Sequence, residues 1–110
     1  MMPDEEEKSR LDQFKEFVEL DPTDTFSRYA LALEYMGVRQ FEEAVGQLKE
    51  VIRMDPSYSA AYFQAAIASR SMEKIEDARE FLRAGIQAAE KKGDWHTRDE
   101  MNAALSDLES

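Results

Sequence analysis

The side chains best suited to chemistry in this sequence are His96, with Asp94 and Asp99 close by, and two pairs of adjacent acids, Glu42-Glu43 and Glu76-Asp77. A histidine beside a carboxylate can serve as a general base or join a metal-ligand set, and paired carboxylates can share a proton. Each role needs several convergent groups. His96 is the single histidine and there is no cysteine, which excludes thiol nucleophiles, thiolate zinc sites and disulfides. There is no glycine-rich phosphate loop and no calcium-loop spacing. The acid pairs stand where helices are expected to begin, and the helix dipole accounts for them there. The expectation is no catalytic residue, no metal and no cofactor, with His96 on the surface. The chain does not read as an enzyme.

Composition bounds what must position these residues. The chain has 110 residues, 43% hydrophobic and 35% charged, which suits one small domain with a thin core. No apolar run approaches the length of a bilayer crossing. Residues 1–7 are acidic where an export signal would be basic and then apolar, so they are expected to form a disordered tail on a cytoplasmic protein. The net charge of −10 is concentrated at the ends: residues 1–24 carry nine acids against three bases, and residues 94–110 carry five against one. Such ends repel phosphate, which argues against nucleic acid and anionic membranes as partners.

Between the ends the sequence repeats. At an offset of 34, Asp21-Pro22 recurs as Asp55-Pro56, Phe14 as Leu48, Phe17 as Val51 and Val18 as Ile52. A second step of 34 carries Phe41 to Ile75, Glu42-Glu43-Ala44 to Glu76-Asp77-Ala78, Leu48 to Leu82 and Ile52 to Ile86. Each unit reads as two helices. Apolar residues at helical spacing run from Phe26 to Met36, with Gly37 as the expected stop, and a second helix runs from Phe41 towards Pro56. Thr23, Asp24, Ser57 and Ser59 are candidate N-caps for the first helices. A half-repeat helix over 8–20, repeats over 24–56 and 58–92, and a final helix over 94–108 account for residues 8–110 as one domain. No segment alternates as a strand would.

A helix–turn–helix period of 34 residues resembles the tetratricopeptide repeat. The first full unit gives Arg28-x2-Leu31-Ala32-x2-Tyr35, then Ala44-x3-Leu48, then Pro56; the second gives Tyr62-x2-Ala65-Ala66-x2-Ser69 and Ala78-x3-Leu82. The resemblance covers roughly residues 8–92 and implies an all-α fold of antiparallel helix pairs stacked as a short right-handed superhelix. Ala32, Ala44, Ala66 and Ala78 are small where paired helices must approach closely. Ala65 and Ser69 stand where the family places Leu and Tyr, so Trp95 or Met101 is expected to fill the space they leave. Glu90 replaces the closing proline, and the helix is expected to run on to about Lys92 and stop at Gly93. The last helix, with Met101, Leu105 and Leu108 on one face, is expected to cap the stack.

The first helix of each unit is apolar on two sides. Leu31, Ala32 and Tyr35 form the face for the partner helix, while Phe26, Tyr29, Leu33 and Met36 form a second stripe, continued by Ala60, Phe63, Ile67 and Arg70. In the resembled family this stripe lines the concave groove that binds partner peptides. The implied function is a protein-interaction module holding a partner segment on Phe26, Tyr29, Leu33, Met36, Phe63 and Ile67, with Arg70 selecting an acidic group. Chaperone-binding members clamp a terminal carboxylate with Lys, Asn and Arg on this face; Tyr29, Leu33, Gln64 and Ile67 hold those places here, which argues against such a clamp. Two other readings of the stripe stay open, homodimerisation through the same face and internal burial.

Overall fold

The computed structural model describes residues 9–110, so the tail expected over residues 1–7 lies outside it. Six helices follow one another: α1 (Arg10–Leu20), α2 (Thr25–Gly37), α3 (Phe41–Met54), α4 (Ser59–Ser71), α5 (Ile75–Lys92) and α6 (Trp95–Glu109). No strand occurs among the described residues. Each helix packs on the next, giving an all-α solenoid 53 Å long and 27 by 20 Å across.

The turns repeat with the sequence. Between α1 and α2, Asp21 accepts from the backbone N–H and the hydroxyl of Thr23, at 3.1 and 2.7 Å. Between α3 and α4, Asp55 accepts in the same way from Ser57, at 3.1 and 2.6 Å. Pro22 and Pro56 sit inside these Asx turns and cannot continue the preceding helix. Asp24 caps α2 as expected, accepting from the Phe26 N–H at 3.1 Å. The serines do not cap α4: Tyr58 takes that place with no side-chain bond, and Ser59 is buried for another purpose described below.

The first helix of the pair stops at Gly37 as expected, and the turn that follows has a feature of its own. Gly37 lies within the last turn of α2, and the left-handed residue is Arg39, at φ 63°; one period later Glu73 does the same, at φ 62°. This conformation lets Gln40 reach back to the Tyr35 carbonyl and Lys74 to that of Ser69, both at 2.9 Å, which closes the helix ends. Neither residue is glycine, so each turn bears the steric cost of a Cβ in that region. Gly93, at φ 75°, does end α5 after Lys92.

Close approach holds the layers together. Ala32, Ala44, Ala61, Ala65, Ala78 and Ala89 have no exposed surface and lie where neighbouring helices meet. Leu48 and Val51 of α3 close against Ala32 on one side and Ala61 and Ala65 on the other. The tightest place is Gly85, where a Cβ would stand 2.5 Å from Met101 Sδ and 2.6 Å from Tyr62 Cβ. Arg28 stands where the resembled family has Trp, and it ties the pair with its head, donating to the Gln47 side chain at 2.8 Å and the Pro22 carbonyl at 2.9 Å.

Helix α6 seals the far end. Met101 is fully buried in the cluster of Tyr62, Ala66, Leu82 and Ala89, with Leu105 and Leu108 packed beside it. Met101 fills the space over Gly85 and Tyr62, whereas Ala65 belongs to the neighbouring cluster with Leu48 and Val51. Trp95 stays outside, half-exposed beneath the Arg98 guanidinium at 5.0 Å. Asp94 caps α6 by accepting from the Thr97 N–H at 3.3 Å, and it also accepts from the Ser59 hydroxyl of α4 at 2.6 Å. The other end of α6 is held by Arg79, which donates to the Leu108 carbonyl at 2.9 Å, and by the Arg83–Glu109 pair at 3.0 Å. Cations suit a helix C-terminus.

The layers are unequal. In one, the backbones of α2 and α4, and of α4 and α6, come close; in the other, the backbones of α1, α3 and α5 stay apart, with the Ile52 and Phe81 side chains reaching between α3 and α5. The α2–α4–α6 layer is therefore the inner, concave side.

Two predictions follow from this packing. Gly85→Ala should destabilise by about 1–3 kcal/mol, because Tyr62 Cβ is fixed to its own helix and cannot retreat. Gly46→Ala, with nothing within 4 Å of the new Cβ, should instead stabilise by roughly 0.5–1 kcal/mol through helix propensity, and urea unfolding of both variants checks the contrast. The second concerns acid. The Ser59 hydroxyl, then the Thr97 side chain, hold the Asp94 carboxyl below its ordinary range. Such a group stabilises the fold above its unfolded value, near 4, and that stabilisation is lost as pH falls through the folded value. Ser59→Ala should cost about 1–2 kcal/mol at neutral pH, and the gap to wild type should narrow as unfolding is measured from about pH 4 downward.

Candidate partner-binding groove

The inner layer carries the expected stripe, and the structure divides it in two. Phe26 is 69% exposed, Leu33 37% and Ile67 39%, and Arg70 is exposed on α4. These four form the accessible part. Tyr29, Met36 and Phe63 are half-buried and help to build the stack. Tyr29 leans on the Tyr58 ring, centroids 5.1 Å apart, and packs against the Ala32, Leu48 and Val51 cluster. Its phenol lies near the Gln64 side chain of α4, and burial pushes its pKa up. Met36 packs on the Leu31–Tyr35–Ala44 cluster and Phe63 on that of Tyr62 and Ala66.

Counting from the helix caps extends the stripe to α6. Leu31 and Tyr35 lie seven and eleven residues after cap Asp24, Ala65 and Ser69 likewise after Tyr58, and Met101 and Leu105 likewise after Asp94. These are the positions turned into the core. The positions two, five and nine after the cap are Phe26, Tyr29 and Leu33 on α2, Ala60, Phe63 and Ile67 on α4, and His96, Asp99 and Ala103 on α6. Sequence reasoning missed the last three because the step from cap to cap changes from 34 to 36 residues at α6. Asp94, a cap residue ahead of an amphipathic segment, was the signal that could have found them. His96 is exposed, with Nε2 3.6 Å from a Glu100 carboxylate oxygen, and Asp99 is paired with Arg98 at 2.9 Å. The groove is thus apolar over α2 and α4 and polar over α6.

Nothing in this groove converges as a reaction centre does. Among the described residues no three His, Asp or Glu side chains stand together as a metal site. The repeated acids Glu42, Glu43, Glu76 and Asp77 occupy the first turns of α3 and α5, in the outer layer. A cleft of 670 Å³ lies on that outer side, between α3 and α5, floored by Val45, Ile52 and Phe81 and rimmed by Glu42, Lys49 and Lys74. It lies where the α3 and α5 backbones stand apart. No described helix is long and apolar enough to cross a membrane.

The architecture matches that of solved proteins. A tetratricopeptide repeat domain protein from Salinibacter ruber superposes with a TM-score of 0.76 at 28% identity, over 81% of this chain and 90% of the other. The fold is that of a tetratricopeptide-repeat domain. The TPR2B domain of yeast Sti1, in its complex with pHsp70, shares this fold with a TM-score of 0.84 at 19% identity, over 90% of this chain and 79% of that one. PcrH, in complex with the chaperone binding region of PopD, does so with a TM-score of 0.85 at 16% identity, over 89% and 74%. No protein-family model and no curated protein matches the sequence. Tyr29, Leu33, Gln64 and Ile67 lie on the inner-layer helices α2 and α4, and none of them carries a cation.

The division of the stripe is testable by stability. Leu33→Ala, at the groove surface, should change unfolding free energy by no more than about 0.5–1 kcal/mol. Tyr29→Ala, which removes a ring packed on Tyr58 and on the Ala32, Leu48 and Val51 cluster, should cost about 2–4 kcal/mol. Guanidinium unfolding of the two variants measures the difference, and equal losses would mean that the stripe is one continuous core.

Proposed function

We propose that this tetratricopeptide domain is a non-enzymatic protein-interaction module that holds a partner segment across its inner layer. The observation that carries the reading is the exposure of Phe26 and Leu33 on one face of α2 and of Ile67 and Arg70 on α4. Large apolar side chains placed together on a rigid concave surface gain free energy when a partner covers them, and aromatic rings do so at little cost in rotamer freedom. The bound segment places apolar side chains over α2 and α4 and a carboxylate near Arg70. Its polar end lies over His96, Asp99 and Ala103. Solved relatives in fold that carry partners, the Sti1 domain with pHsp70 and PcrH with a region of PopD, support an interaction role.

A peptide display library selected against the whole chain tests this. Recovered peptides should combine apolar residues with an acid. The triple variant Phe26→Ser, Leu33→Ser, Ile67→Ser should weaken their binding at least about tenfold. Arg70→Glu should remove the preference for acid. Light scattering on the same samples should give a monomer for wild type and variant alike. A wild-type dimer that the triple variant dissociates would replace this reading with homodimerisation through the groove, and peptide binding indifferent to the triple change would end it.

A further inference from the structure

The outward face of α1, at the other end of the stack, is open. One period separates Phe17 of α1 from Val51 of α3. Val51 has no exposed surface, because Ala32 of its own pair and Ala61 and Ala65 of the next pair close over it together. Among the described residues, helix α1 is covered from one side only: Leu11, Phe14 and Val18 pack on the cluster of Leu31, Tyr35 and Ala44. Phe17 is left 48% exposed and Leu20 83%.

Charge is sorted around the same helix. Both of its cations are drawn towards α2: Arg10 grips Glu34 through two bonds of 3.2 and 3.1 Å, and Lys15 Nζ lies 5.7 Å from the centre of the Tyr35 ring. On the other edge Asp12, Glu16 and Glu19 follow one another at helical spacing, all exposed, next to Leu20.

We propose that this face docks an amphipathic helix with an apolar stripe and basic flanks, seated where the first helix of a pair would lie. A helix is the occupant because a first helix of the same pair closes this register on α3. Phe17 and Leu20 supply the apolar contact, and Asp12, Glu16 and Glu19 meet the basic flank. A second copy of the chain is disfavoured, since it would bring an end with nine acids and three bases against another of the same kind.

The test uses the whole chain and two synthetic amphipathic peptides of about 15 residues, leucine on one face and either lysine or glutamate on the other. The lysine peptide should bind at least about tenfold tighter than the glutamate peptide. Phe17→Ser, Leu20→Ser should lower its affinity at least about tenfold, whereas Phe26→Ser, Leu33→Ser in the groove should leave it unchanged. Glu16→Lys, Glu19→Lys should abolish the preference for lysine while circular dichroism keeps its helical signal. If the Phe17 and Leu20 changes unfold α1, this charge variant decides alone. Equal binding of both peptides, or binding indifferent to these variants, overturns the proposal. So does a dimer of the wild-type chain that Phe17→Ser, Leu20→Ser converts to monomer, because a second copy would then cover the face.

Discussion

Everything in this molecule depends on how closely two helices can lie. Side chains no larger than alanine stand at the crossings, Ala32 against Leu48, Ala61 and Ala65 against Val51, and Gly85 against Tyr62 and Met101. The gain is dispersion and burial at interior density, and it vanishes quickly with separation. Because each helix meets mainly its neighbours along the chain, these crossings are also the route by which stability passes from one pair to the next. The polar links sit at the turns and caps, where water would otherwise compete for the helix ends.

That constraint explains why the cap helix breaks the period. Had α6 kept the 34-residue step, Asp99 and Glu100 would occupy the places that Ala65 and Ala66 take in α4. Two carboxylates would then be buried without cations, at a cost no single crossing could offset. Starting the helix at Asp94 moves Met101 into the row of Ala65 and Leu105 into that of Ser69, and returns the acids to water. Asp94 meanwhile answers the buried Ser59 hydroxyl, so one carboxylate satisfies two helix starts.

Much of this was legible in the sequence, and the failures are instructive. The period, the pairing and the small residues at the crossings could be read because few residue types fit them. The Asp-Pro turns were equally plain. The stop at Gly37 could be read, but the left-handed turn residues could not, since that conformation accepts Arg39 or Glu73 when the surrounding hydrogen bonds demand it. Gly85 passed unnoticed, because a glycine inside a helix reads as weakness until a neighbour is seen to need its space. Trp95 was overrated for a related reason: its ring is large, but at the first position of α6 it has only the Arg98 guanidinium to lie against. The inner-layer stripe was found as a stripe, but periodicity cannot show that Tyr29 faces Tyr58 and Gln64 while Leu33 faces outward. That distinction comes from tertiary neighbours.

The gap between α3 and α5 has a mechanical side. The backbones of the inner helices come close and those of the outer ones stand apart, so any change of the stack's curvature would pivot along α2, α4 and α6. Bending it further narrows the groove and widens the outer cleft; straightening it does the reverse. Whatever wedges into one side therefore sets the curvature of the other, and a bulky side chain grown from Gly46 into the cleft would stiffen a surface it never touches.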